Sequence, residues 1–517
     1  MLKGVLKKGQ YYDSVTLMLA TRELVGMPGV RDASVVMATK ENLSILRQAG
    51  LLPEGLESAS DNDLLIVVEA GDVPEADGAI NAVDGVLANM RSKQGGGAMR
   101  MPRSLDSALQ AEPGSNFALI SVAGKYAAGE AGKAIDQGLH VMLFSDNIEL
   151  EDELLLKQQA HGKGLLMMGP DCGTAIINGV PLGFANVVNA GNIGLVGASG
   201  TGLQEISSMI SMRGAGVSQV IGTGGRDLKK EIGGIMFIDA LRALERDEAT
   251  EVICLVSKPP DPEVLERVVQ ELKKTTKPVV VLFIGTSDDI EAGPGVIIAD
   301  TLEKAALTSV ALSKGDDLAL VSSELNDRSK TLRAQAKEIV PKLKGRYLRG
   351  LFSGGTLAAE AQLIFNKQGI SVYSNAPLRS DSLLEDALVS REHSIIDMGT
   401  DEFTAGRPHP MIDFSLRNKR ILEEALQEDV AVILFDVVLG FGAHKEPSKE
   451  LVPVINEAKR KAPGVVFVAS ITGTSRDPQD YDKVLADLEQ AGVIVLPSMA
   501  AAAELCSAII TLVQKQQ

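Results

Sequence analysis

The chain has no tryptophan, and aromatic residues fill only 3% of its 517 positions. Stacking platforms for nucleobases are built from such rings, so their scarcity argues against nucleic-acid binding. Positive charge is also in short supply. The 51 Lys and Arg face 68 Asp and Glu, a formal net charge of −17, where a nucleic-acid binder would show a basic stripe. Solubility is reason enough for this acidity. Cys172, Cys254 and Cys506 are too few for a disulfide framework and lack metal-ligand spacing, so no metal site is expected. No apolar run reaches membrane-spanning length, and the N-terminal MLKGVLKKGQYYDS turns polar at once. The expectation is a cytoplasmic protein without a membrane span.

What is present is glycine, 51 residues of it, between apolar strands and helical stretches. Strands without polar alternation, separated by helices, indicate parallel sheets covered on both faces, an α/β fold with several doubly wound domains. The length allows three or four domains. Residues 1–100 read as a small N-terminal α+β domain, with Asp13 and Ser14 as helix caps and KENLSILRQAG (40–50) as a helix. It ends in the Gly-rich linker SKQGGGAMRMP (92–102). Residues 101–190 resume the strand–helix alternation, and 191–335 and 336–517 are two further α/β modules. The charged helical stretch 322–345 connects these two modules.

The modules repeat one another. Residues 194–205 read GLVGASGTGLQE and residues 350–360 read GLFSGGTLAAE. Each is an apolar run, a Gly/Ser/Thr turn ending in Gly-Thr, and a helical segment. IGTGGRD, ICLVSKP and KPVVVLFIGTS after the first copy match DMGTDEF, VILFDVVLG and GVVFVASITGTS after the second, in the same order. A strand feeding a helix through such a turn leaves backbone N–H groups free for an anion. Ser199, Gly200 and Thr201 in one module, and Gly354, Gly355 and Thr356 in the other, are therefore candidate phosphate or carboxylate binders. Neither turn has the Lys of a P-loop or the GxGxxG order of a dinucleotide fingerprint. A tight turn without a ligand remains the bland alternative.

Of the five histidines, His140, His161 and His393 read as structural or solvated. His409, in GRPHPMID, stands between prolines with Arg407 before it and Asp413 after it, a setting for anion binding or acid–base work. His444, in GFGAH beside Gly442, is a further binding candidate or an ordinary loop histidine. In GTGGRD, Gly224 and Gly225 would let a ligand approach while Arg226 grips it; a surface ion pair with Asp227 is the alternative. Cys172 has no His/Asp pair beside it and reads as a buried thiol.

The phrases MLFSDN, LEDELLLK, GLLMMGPDCGTA, GNIGLVGASGTG, IGTGGRDL, SKPP, GGTLAAE and GRPHPMID resemble the succinyl-CoA synthetase superfamily, and within it the FdrA branch, over essentially the whole chain. The resemblance implies a CoA-binding Rossmann-like domain and two flavodoxin-like modules whose helix N-termini hold a phosphohistidine in the synthetases. By resemblance those turns are Ser199-Gly200-Thr201 and residues 440–444. The second differs from the repeated loop at 353–356, which leaves open the turn that faces the ligand. The stretch that matches the phosphorylated loop is AGPGVIIAD (292–300), with Pro294 near the His position and no histidine between 161 and 393. Lys258 stands where the partnering glutamate would be. An ATP-grasp domain and the CoA glycine loop have no counterpart.

With those departures the resemblance implies a subunit of a multi-subunit transferase of the oxamate carbamoyltransferase type in allantoin catabolism. Oxalurate and phosphate would give oxamate and carbamoyl phosphate, with companion subunits and an oligomeric state. Phosphate is then a substrate, no cofactor is certain, and CoA enters only under the alternative of an acid–thiol ligase. A non-catalytic scaffold is the second alternative. Pseudo-symmetry would bring Arg226 and Arg407 to one cleft as anion binders, with His409 as donor or acid–base group and Asp413 orienting its loop.

Overall fold

The computed structural model describes every residue except 11, 13, 40–41, 44–45, 48–49, 54, 57–58, 61–62, 94–101, 103, 287–292, 405–406 and 517. The expected cap at Asp13, most of the 92–102 linker and much of the 40–50 helix lie outside the described residues.

The first domain holds β1 (Leu2–Lys7), β2 (Val30–Met37) and β3 (Leu64–Ala70), antiparallel in the order β1–β3–β2. Helices Ser14–Val25 and Val73–Lys93 close one face over Leu24, Val35, Ile66 and Val83. The expected α+β character holds.

A second unit follows with β4 (Phe117–Ile120), β5 (His140–Leu143) and β6 (Met167–Met168), parallel in that order and joined by helices Gly124–Asp136 and Leu150–Gly162. Its sheet ends earlier than the expected boundary at 190. β7 (Thr174–Ile177) and β8 (Val180–Gly183) form a hairpin, and β7 pairs antiparallel with β10 (Val217–Gly222) of the next sheet. Asn178 and Gly179, both at positive φ (50 and 78), make the two-residue turn. Asn-Gly between apolar runs is the strongest short-range hairpin signal, and here it outweighs the βαβ rhythm.

Two larger modules follow. The first runs β9 (Ala190–Gly197), β10, β11 (Val252–Ser257), β12 (Val279–Phe283) and β13 (Val296–Ile298). The second runs β14 (Tyr347–Phe352), β15 (Ser394–Asp397), β16 (Val430–Val438), β17 (Val466–Thr472) and β18 (Ile494–Leu496). Their parallel orders, β10–β9–β11–β12–β13 and β15–β14–β16–β17–β18, are the same 2-1-3-4-5 order of a flavodoxin-like sheet. The duplication is therefore a duplication of topology.

Between the two sheets lie the first and last helices of each module: Gly200–Met212 with Leu302–Lys314, and Gly355–Lys367 with Met499–Gln514. One continuous apolar core joins them through Ile206, Ile210, Ala305, Leu357, Phe365, Ala502 and Ile509. The connecting helix Leu318–Ile339 packs along Met499–Gln514.

The modules also finish one another's helices. Glu205 and Glu360 each occupy the sixth position of their module's first helix. Glu205 Oε1 accepts the Met499 N–H at 3.3 Å, at the start of the second module's last helix. Glu360 Oε1 accepts the Leu302 N–H at 2.6 Å, at the start of the first module's last helix. Each carboxyl thus satisfies an N–H that its partner helix leaves orphaned. Thr472 also donates to Glu205.

Burial pushes Glu205 up to about 7 and Glu360 up to about 8, helped by mutual repulsion and by nearby Glu303. With folded values above the unfolded carboxylate range, this stabilisation is complete at acid pH and is lost as pH rises to 7–8. Glu205→Gln and Glu360→Gln keep the shape without the charge. Thermal unfolding across pH 5–9 should show a flatter alkaline decline in the variants than in the parent; an unchanged pH slope would exclude the capping carboxyls as its cause.

Candidate functional site at two helix N-termini

The Gly-Thr turns meet. Ser199 caps the Gly200–Met212 helix, its Oγ accepting the Gly202 N–H at 3.2 Å. The same Oγ lies 2.5 Å from Thr356 Oγ1 at the start of the opposing helix. A Cβ at Gly354 would stand 3.0 Å from Thr201 Cγ2, and one at Gly202 3.2 Å from Thr356 Cγ2, so glycine permits this approach. Of the two turns the sequence left open, the one at 353–356 faces Ser199.

Asp436 holds that second turn in shape. Its Oδ1 accepts Ser353 N–H at 2.7 Å, and its Oδ2 accepts Ser353 Oγ–H and Gly354 N–H, both at 2.8 Å. Arg417, fully buried over the Phe414 ring, donates to Asp436 Oδ1 at 3.0 Å. Every lone pair of the carboxylate is directed to structure.

Residues 440–444 do different work. Gly440 at φ 108 packs on the Ala185 carbonyl, and Gly442 at φ 81 packs on the Phe184 ring. His444 Nε2 lies 2.7 Å from the Arg22 guanidinium. Its Nδ1 accepts the Glu446 N–H at 3.1 Å, and burial first, then Arg22, holds the imidazole below its usual value. His444 joins the N-terminal domain to the second module rather than binding at the Ser199–Thr356 junction.

His409 does reach the junction. Its Nδ1 accepts the Met411 N–H at 3.2 Å, and burial, with Arg417 nearby, brings its value down to about 4. A neutral imidazole accepting at Nδ1 carries its proton on Nε2. Nε2 lies over Gly399, where a Cβ would stand only 2.8 Å away. His409 is thus a neutral donor, not a group that titrates near pH 7. Asp413 accepts the Ser415 N–H at 2.7 Å and shapes its own loop without touching the imidazole.

Beside Gly399 is Asp397, at the end of β15 and only 5% exposed. Its Oδ1 accepts the Gly399 N–H at 2.9 Å. Its Oδ2 lies 2.4 Å from where a Cβ would stand on Gly355, against the start of the second helix. Burial raises this carboxyl, while the Lys258 ammonium opposes the rise. Sequence reasoning passed over Asp397 because nothing local marks it; its setting depends on two helices and a loop distant in sequence.

The two arginines do not share a cleft. Arg226 Nε makes a 2.8 Å ion contact with the fully buried Glu153, and Nη2 donates to the Ile148 carbonyl at 2.8 Å. Arg407 is exposed, in a groove with Tyr12, Thr21, Met37, Ala123 and Pro408 beside the N-terminal domain. The first is spent on neutralising a buried carboxylate, and the second is carried outward by its loop. Gly224, at φ 86, lets the backbone pass the Pro170 carbonyl, while Gly225 faces open space. Asp227 is not a surface ion-pair partner of Arg226. It is fully buried, pairs with Lys157 at 2.7 Å and accepts the Phe237 N–H at 2.8 Å.

Cys172 is a buried thiol pushed up to about 12 by burial, with Sγ near the Gly222 carbonyl at 3.4 Å. Its neighbour Asp171, at φ 55, is held up to about 6, first by burial and then by Asp146 and Asp401, with Arg226 pulling the other way. The Phe184 ring bridges this edge to the junction, 5.8 Å from Phe144 and 6.1 Å from His409. The MLFSDN, GPDCG, GASGTG, GTGGRD, GGT and RPHP segments thereby converge.

Lys157 locks the small sheet to this region through Glu153 at 2.8 Å, Asp227 at 2.7 Å and the Thr223 carbonyl at 3.0 Å, all fully out of solvent. Removing one member strands buried charge, which costs about 3–5 kcal/mol. Lys157→Met should lower stability by that order in denaturant unfolding; a loss under 1 kcal/mol would show the network to be dispensable.

Residues 1–102 match the family model of the AllF heavy metal-associated domain, residues 188–285 that of the CoA binding domain and residues 351–509 that of CoA-ligase. The CoA-binding match thus falls on the first flavodoxin-like module. The chain is 43% identical over 504 residues to the uncharacterized protein YahF of Escherichia coli (strain K12), covering 96% of each. It is 30% identical over 179 residues to subunit alpha 1 of the ADP-forming succinate–CoA ligase of Archaeoglobus fulgidus, covering 34% of this chain and 60% of that one. Among solved structures, PH0766 from Pyrococcus horikoshii OT3 aligns over 80% of this chain and 87% of its own, at 15% identity and a TM-score of 0.34.

Residues 1–102 contain no Cys and no His, so methionine thioether is the soft donor type they could offer a heavy metal. At the carboxyl edge of the small sheet, Asp146 and Asp401 both repel the Asp171 carboxylate. Among the described residues no helix is long and apolar enough to cross a membrane. Similarity along nearly the whole length of both chains, with ligase-type modules behind an AllF-type domain, places the chain in the YahF family of succinyl-CoA ligase-like proteins.

Proposed function

We propose that the protein is the transferase subunit of a phosphate-dependent carbamoyl transfer, moving the carbamoyl group of oxalurate to phosphate. The observation that carries this reading is the 2.5 Å contact between Ser199 and Thr356, which brings two helix N-termini to one point. First-turn N–H groups and hydroxyls there offer an anion several donors and a favourable dipole. The AllF-type domain supports a link to allantoin breakdown.

In this reading phosphate lies at the helix starts and the carbamoyl carbonyl is directed at His409 Nε2–H. A neutral imidazole donates to the oxygen as charge develops on it, without having to change protonation state. Lys258 balances the second anionic group. Companion subunits complete the assembly, as the FdrA resemblance implies.

The test is carbamoyl phosphate formation from oxalurate and phosphate by the full chain, with and without the products of neighbouring genes. Loss of one oxyanion donor costs on the order of 10²–10³ in kcat, so His409→Ala should fall by that factor and His409→Gln by less. No pH-rate inflection near 6.5 should trace to His409, given its value of about 4. Absence of carbamoyl phosphate in both preparations would remove the reading.

The CoA-ligase match over 351–509 favours a second reading, an acid–thiol ligase subunit. It calls for acyl-CoA formation with a nucleotide-handling partner.

A further inference from the structure

The junction holds two buried aspartates in opposite states. Asp436, wholly buried, has each oxygen bonded to backbone, hydroxyl or guanidinium groups. Asp397 has one oxygen bonded to the Gly399 N–H, while among the described residues Oδ2 has no hydrogen-bond partner and sits at the start of the Gly355–Lys367 helix. Its backbone is fixed on both sides. Asp397 N–H donates to Asn375 Oδ1 at 2.9 Å, and Asn375 Nδ2 donates to the Asp397 carbonyl at 2.9 Å. This is a carboxylate oxygen held rigidly against a helix N-terminus, with His409 on the far side of Gly399 and the Lys258 charge acting on it.

We propose that Asp397 is a covalent carrier, its Oδ2 taking the carbamoyl group before phosphate does. The inference rests on the transfer reading above. Oδ2 attacks the carbamoyl carbon of oxalurate, a C–O bond forms, and the C–N bond to the oxamate nitrogen breaks. That nitrogen takes a proton from solvent water, and the carbamoyl group is held as a mixed anhydride. An oxygen of hydrogen phosphate then attacks the same carbon, the bond to Oδ2 breaks, carbamoyl phosphate leaves and Asp397 returns as a carboxylate. The proton lost by phosphate balances the one gained by oxamate. Splitting one displacement into two is the usual gain of a nucleophilic carrier. Helix N-termini and the His409 Nε2–H stabilise the oxyanion in both halves.

A carrier permits exchange that a direct transfer forbids. Radioactive phosphate should enter carbamoyl phosphate in the absence of oxamate, using the full chain in the preparation that shows transfer. Asp397→Asn should lose that exchange by at least about a hundredfold while unfolding at the parental temperature. Should that variant fail to fold, the parent protein decides alone. Exchange that requires oxamate, in a preparation that performs transfer, overturns the carrier and leaves the transfer reading standing. Exchange that persists in folded Asp397→Asn overturns the assignment to this residue. Neither transfer nor exchange overturns the reading on which the carrier rests.

Discussion

Each flavodoxin-like module takes from the other one acceptor for the start of its last helix, beside its own Thr301 or Ser498 cap. Glu360 reaches from the second module to the Leu302 N–H, and Glu205 from the first to the Met499 N–H. Because each carboxyl sits six residues into the helix that begins at a Gly-Thr turn, the reciprocal bonds fix how far apart those turns can be. The Ser199–Thr356 contact is then a consequence of the interlock. Separating the modules would expose the shared apolar core and leave the Leu302 and Met499 N–H groups without these acceptors, so the junction is as rigid as the core beneath it.

Charge inside this molecule is handled in two ways. Lys157 and Arg226 together neutralise Glu153 and Asp227, with Lys157 and both carboxylates out of solvent. Arg417 and Asp436 do the same behind the 353–356 turn. Buried pairs of this kind add little net stability relative to apolar packing, but they are costly to break, and so they specify one arrangement. Around the junction the balance is left incomplete. Asp397 retains a free oxygen and Lys258 remains exposed. Rigid, satisfied shells beneath a few unsatisfied groups are what a reacting site requires.

The duplication was legible in the sequence because glycine turns, apolar strands and helical spacing are local and periodic, and the family resemblance implied its flavodoxin-like form. So were the helix-start roles of Ser199 and Gly355, which follow from a strand meeting a helix. The β7–β8 hairpin was written as Asn178-Gly179 and went unread because the surrounding βαβ rhythm suggested continuation. Arg226 and Arg407 were placed together by symmetry alone. Glu153 lies at a distant position in sequence, and only the folded chain shows that it claims Arg226. Asp397 was invisible for the same reason, since its environment is assembled from residues between 258 and 409.

Symmetry of fold has not produced symmetry of chemistry, and the small sheet explains why. β10 and β15 are equivalent second strands, each ending in a Gly-Thr turn near the junction. At the end of β10, a Cβ on Gly222 would meet the Thr174 carbonyl at 2.5 Å and Cys172 Sγ at 2.7 Å, and one on Gly224 would meet the Pro170 carbonyl at 2.3 Å. The GPDCG loop has filled that space. At the end of β15, one wall is the Gly355 helix and the other is His409, with Asp397 between them. The Lys157 network holds the small sheet in the first position and so closes one half of the pseudo-symmetric pair. The other half keeps a carboxylate and a neutral imidazole beside the paired helix starts.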